Sequence, residues 1–90
     1  MGDTQQMLEE LLRVMVFEPD RRWYGLDLSE AAMLPSGTIS PALARGERLG
    51  LLVSAWEGLI RPRRRLYWLS PEGEAMARSL VHSEAVLPSR

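Results

Sequence analysis

Two helix-forming segments of this chain stand almost end to end, and that spacing limits the available folds more than any other feature. The first lies within WYGLDLSEAAMLP, residues 23–35. Leu26, Leu28, Ala31 and Ala32 suit a short helix that ends near Met33, before Pro35. The second, SGTISPALARGERLG, is capped by Ser36 and stops at Gly50. A short helix, a tight turn and another helix form the signature of a helix-turn-helix. Pro41 falls near the fifth residue of the second helix, so one backbone hydrogen bond is expected to be lost there.

The segments on either side read as regular elements. Thr4 is expected to cap a first helix running to about Phe17, with Met7, Leu8, Leu11, Leu12 and Met15 in one apolar stripe. EPDRR, residues 18–22, breaks it, and Trp23 and Tyr24 read as a short extended piece. LLVSAW and RRRLYWLS read as two strands joined through EGLIRP, a β-hairpin. In the second strand Tyr67 and Leu69 share one face, and Leu66 and Trp68 the other. Ser70 and Pro71 start a final helix reaching about Ser83, with Met76, Leu80 and Leu87 on one side, and the tail LPSR frays. Ninety residues make one domain, with residues 4–69 as its core, 70–84 as the last helix and 85–90 as tail.

Composition narrows the chemistry. Hydrophobic residues supply 46% of the chain and charged ones 26%, a globular balance, and there is no cysteine for a disulfide or thiolate metal site. The sequence holds one histidine, no paired carboxylates in an apolar setting and no glycine-rich phosphate loop, so neither an enzyme nor a bound metal or cofactor is expected. No apolar run is long enough to span a bilayer. The polar start MGDTQQ is unlike a secretory signal, and Gln6 stands where a myristoylation motif wants serine or threonine. A cytoplasmic protein is expected.

The net charge of −1 hides a polarity. Residues 1–33 carry −4, from three arginines against seven acids. Residues 34–69 carry +4, from six arginines against Glu47 and Glu57. Every cation is arginine, whose planar fork suits phosphates and base edges. On a helical wheel Ile39, Ala42, Leu43, Gly46 and Leu49 gather on one side of the second helix-turn-helix helix. Gly37, Ser40, Pro41, Ala44, Arg45 and Arg48 gather on the other, a small, polar, cationic face suited to a DNA major groove. Gly46 interrupts the packing side, and a bulky neighbour such as Trp23 or Trp56 is expected beside its bare backbone. Trp56 and Tyr67 are expected in the core, and Trp68 on the outer face under partial cover.

Four pieces in order, WYGLDL, SGTISPALARGERLGLL, the tryptophan of SAWE, and RPRRRLYWLSPEG, resemble the PadR-like transcriptional regulators over roughly Leu8 to Leu80. The resemblance implies an α+β, mainly α, winged helix-turn-helix: three helices, a two-stranded β-hairpin wing and a short C-terminal helix. It also implies a dimeric repressor acting on double-stranded DNA through a palindrome-like operator. Carried across, Ser36, Thr38 and Ser40 would lie at or near the DNA, Arg61 and Arg63 at the wing, and the final helix in the dimer. The chain departs from the family pattern at Ser40, where a tyrosine is usual, at Gly46, at Ile60 and at Trp68.

The candidate DNA contacts are therefore Ser36, Thr38, Ser40, Arg45, Arg48, Arg61, Arg63 and Arg64, with Arg65 nearer the domain body. The competing reading of Arg45 and Arg48 is a surface pairing with acids such as Glu47, and Arg21 and Arg22 read as partners of Glu18 and Asp20. Met7, Leu8, Leu11, Met76 and Leu80 are the candidate dimer residues. A homodimer without membrane contact or small-molecule effector is expected. Two other functions fit: an architectural factor for recombination of a mobile element, and a protein-interaction module that no longer binds DNA.

Overall fold

The computed structural model describes residues 3–60 and 63–85. Helix α1 spans Thr4–Met15 and is capped by Asp3 rather than Thr4, the Asp3 carboxylate accepting from the Gln5 amide at 3.3 Å. It stops two residues before the expected Phe17, which lies 75% exposed in the following turn. Its apolar stripe supplies the centre of the fold: Leu8, Leu11, Leu12 and Met15 are at most 1% exposed. Leu8 and Leu11 are thus enclosed within one chain and offer nothing to a second copy, which corrects their assignment to a dimer seam.

Strand β1, Trp23–Tyr24, leads directly into helix α2, Gly25–Ala32. Only Leu28 of the predicted apolar residues of α2 is fully buried, while Leu26 and Ala31 face outward. Met33 ends the helix in the left-handed conformation, at φ 59°. The Ser29 hydroxyl, itself buried, donates to the Leu34 carbonyl at 2.6 Å and ties the turn back onto α2.

A single 3₁₀ turn, Ser36–Thr38, precedes helix α3, Ile39–Arg48. Ser36 therefore does not cap the helix. Pro41 becomes its third residue, where the backbone N–H has no partner within the helix in any sequence, so the expected lost bond is not lost. Ile39, Ala42, Leu43 and Gly46 are buried as the wheel predicts, whereas Leu49 is 51% exposed. At the far end the Leu51 amide bonds the Gly46 carbonyl at 2.8 Å and the Gly50 amide the Glu47 carbonyl at 3.0 Å, with Gly50 at φ 76°. This double bond pattern closes the helix, and glycine adopts its left-handed backbone without a Cβ penalty.

Strands β2, Leu52–Glu57, and β3, Arg64–Leu69, form the hairpin. The sheet has three strands rather than two. β1 adds to the free edge of β3, giving the order β1-β3-β2, all antiparallel, with Trp23 opposite Tyr67 and Ser54 opposite Tyr67 on the other side. Leu52, Leu69 and Trp23 point into the core. Tyr67 packs against its edge, but Trp56, two residues farther along β2 than Ser54, is 51% exposed and not a core residue.

Helix α4, Pro71–Ala85, begins as expected: the Ser70 hydroxyl accepts from the Gly73 amide at 2.9 Å and donates to the Gly50 carbonyl at 2.6 Å. One side chain thereby joins the start of α4 to the end of α3. The helix packs on α1 through Ala77, which is fully buried, so α4 belongs to the same core. Leu87 and the tail LPSR, expected to fray, lie outside the described residues.

Candidate nucleic-acid interface

Burial of one side of α3 in the core leaves the other to solvent: Ser40, Pro41, Ala44 and Arg48 are exposed. A groove runs along one flank of this ridge. Its walls are Ser36 and Ser40 from the helix-turn-helix and Arg64, Arg65 and Tyr67 from the hairpin, with Tyr24 and Leu26 at the rim. A second groove borders the other flank, where Pro41, Ala44, Arg45 and Arg48 meet Asp3, Thr4 and Gln5 at the start of α1. The ridge of α3 is common to both, so Ser36, Ser40, Arg45, Arg48 and Arg64 share a continuous surface.

The arginines on this surface differ in what holds them. Arg45 donates through Nε to the Gln5 side-chain oxygen at 2.7 Å, a neutral partner that orients the guanidinium. Arg48 has no hydrogen bond or ion pair among the described residues. Glu47, the acid that the competing reading paired with them, faces the sheet instead. It accepts from the Ser54 hydroxyl and lies 3.5 Å from Arg65, whose Nε also donates to Ser54 at 3.0 Å. Arg65 is thus tied to the domain body, and its positive charge is balanced there.

Arg64 projects to the opposite face of β3, its guanidinium 5.0 Å from the Tyr24 ring. The Tyr24 hydroxyl donates to Glu57 at 2.8 Å, and that bond to a carboxylate raises the phenol's pKa above its usual value. Arg63 stands 5.0 Å from the Trp56 ring and Arg65 5.1 Å from it, so this exposed indole lies within cation–π range of two guanidinia. Arg61 lies outside the described residues. The Thr38 hydroxyl donates to the Pro35 carbonyl at 2.8 Å, a local bond that engages it in the turn. Among the described residues no side-chain hydrogen bond engages Ser36 or Ser40.

Away from this surface, Arg21 pairs with Glu18 at 3.2 Å and Asp27 at 3.9 Å and stacks on Trp23 at 3.7 Å. Arg22 forms no ion pair among the described residues. It covers the Trp68 ring at 3.6 Å, supplying the expected partial cover from within the chain. Of the remaining candidate dimer residues, Met76 is 45% exposed, and Met7 and Leu80 are partly buried against the core. Sequence reasoning did not include Tyr24, Leu26 or Gln5 in the site. Each sits in an element read only as scaffold, and only the docking of α1 and β1 against α3 and β3 brings them to the grooves.

No family model matches the sequence, and no curated protein matches it. Solved structures do. A PadR family transcriptional regulator from Eggerthella lenta superimposes with a TM-score of 0.70 at 24% identity, over 92% of this chain and 79% of that one. The chain has the winged-helix fold. A Streptococcus mutans protein, smu.1704, gives 0.73 at 22% identity, over 96% and 85%. The adhesin competence repressor of Streptococcus pyogenes gives 0.72 at 14%, over 88% of this chain. This chain spans just over half the length of that repressor, 56%. In winged-helix terms α2 and α3 are the helix-turn-helix, β2 and β3 the wing, and β1 the short strand that completes the sheet.

Proposed function

We propose that this winged helix is a sequence-specific DNA-binding regulator of transcription, acting as a repressor. The observation that carries the reading is the exposed face of α3. It is made of small residues, and its guanidinia, Arg45 and Arg48, form no ion pair among the described residues while Glu47 is turned to the sheet. In this reading α3 enters the major groove, where Ser36, Ser40, Arg45 and Arg48 meet phosphates and base edges. Arg63 and Arg64 of the wing meet the adjoining backbone, and Arg61, outside the described residues, is the further wing candidate from the sequence. Thr38 serves the turn and has the smallest role.

Repression is supported by the PadR-like motifs and by the repressor among the structural neighbours. A homodimer joined through α4, with Met76 and Leu80 at the contact, would present two such helices to a palindromic site. The protein-interaction reading loses one of its motives, because Arg22 already covers Trp68.

Selection of bound duplexes from a randomised library, beside a measurement of solution mass, tests the proposal. A dimer retaining an isolated inverted repeat is the expected result. Tandem sites without symmetry would favour the architectural reading, and no retained duplex would end the DNA reading.

A further inference from the structure

Among the described residues of the wing loop, two large apolar side chains are left bare. Leu59 is 94% exposed and Ile60 85% exposed, beside Gly58 at φ 81° where the hairpin turns. Turn tips ordinarily carry Gly, Asn, Asp, Ser or Pro, so a leucine–isoleucine pair there needs an explanation that a single exposed apolar residue would not. Its surroundings are cationic. Arg63 and Arg64 follow the tip, and the nearby acid, Glu57, is held by the Tyr24 hydroxyl. The complementary surface is a polyanion with an apolar layer behind its charges, within reach of a hairpin that borders the α3 groove.

We infer that the wing tip is a minor-groove wedge: Leu59 and Ile60 insert between base steps of duplex DNA, held by wing arginines on the phosphates, and bend the site. The inference rests on the DNA-binding reading and adds a mechanism to it. Apolar side chains used in this way unstack a step and kink the duplex toward the major groove. The deformation is least costly at flexible TA and CA/TG steps, so the wing would select sequence at bases it does not read by hydrogen bonds.

The test compares the wild-type chain with the double variant Leu59→Ser, Ile60→Ser on library-selected duplexes carrying a fluorophore at each end. Both side chains are exposed, so the fold survives the change, which a thermal melt by circular dichroism verifies. Wild-type protein is expected to bend its duplex by roughly 20–90° and to enrich TA or CA/TG steps outside the α3 contact. The double variant should bind within about tenfold of wild type, because phosphate contacts dominate affinity, yet leave the duplex straight and lose the step preference.

A straight duplex under bound wild-type protein overturns the wedge and leaves the DNA reading intact. A bend unchanged in the double variant does the same. Failure of wild type to retain any duplex removes both. A chain that instead binds phosphatidylserine vesicles through Leu59 and Ile60, and no duplex, assigns the tip to a lipid surface and overturns the inference.

Discussion

Gly73 sits where one methyl group decides whether α4 can dock. A Cβ built on it would stand 1.9 Å from the Leu51 carbonyl oxygen, a backbone atom that cannot rotate away. Gly73→Ala is therefore expected to cost about 3 kcal/mol, the upper end of ordinary overpacking, and urea unfolding would show it as a lower midpoint. Gly46 is a milder case. Its Cβ would meet Leu52 Cδ1 at 2.6 Å and Leu8 Cδ1 at 3.0 Å, the ends of leucine side chains, so leucines rather than a tryptophan fill the space beside it.

The two tyrosines report on their surroundings through their ionisation. A hydrogen bond to Glu57 raises the Tyr24 pKa, and burial raises that of Tyr67, Arg65 opposing in part. A phenol whose folded pKa is raised contributes stability below its unfolded pKa, near 10, and that contribution is lost as pH climbs through the folded value. Phenolate absorbance should thus titrate at higher pH in the native chain than in urea, and stability should fall above about pH 10. Coincident native and unfolded titrations would contradict both assignments.

At the scale of elements, the ends of the helices carry the helix-turn-helix. α3 stops at a glycine whose backbone suits the closing bonds, while α2 stops at Met33, a left-handed methionine that is 89% exposed. A left-handed backbone costs a residue with a Cβ roughly 1–2 kcal/mol, and glycine returns roughly 0.5–1 kcal/mol of that through its freer unfolded state. Met33→Gly removes no packing and is expected to stabilise the chain by on the order of 0.5 kcal/mol, measured as a higher thermal midpoint. An unchanged or lower midpoint would mean that the turn draws on the methionine side chain. Pro41 belongs to the same account: counted from Ile39 it falls in the first turn, where its missing N–H costs no helical bond.

For the whole molecule, the distribution of charge matters more than its total. Glu18 and Asp27 of the first third engage Arg21, whereas Arg48, which shares its groove with Asp3, forms no ion pair among the described residues. If that ridge meets DNA, Arg48→Ala should lower affinity and reduce the slope of log affinity against log salt by about 0.9, the value of one phosphate contact. Arg21→Ala should leave the slope unchanged. Equal effects of the two substitutions in filter binding across a salt series would separate the cationic ridge from the duplex.

Local rules acting on the sequence determined most of the elements. Helical spacing in α1 and α3, the Gly50 stop, the Ser70 cap and the alternation in β3 each depend on residues a few positions apart, and they appear where those spacings put them. Tertiary structure decided the rest, because the deciding partners are far away in the chain. Glu47 chose the sheet over its helical neighbours once Ser54 and Arg65 came within reach, and Trp56 lay too far along β2 to enter a core already closed by Leu52 and Leu69. Leu8 and Leu11 went inward because α3 and α4 both close over α1, and Trp23 and Tyr24 became a strand because β3 had an edge to offer. Periodicity shows that a face is apolar. What covers it follows from how the elements meet.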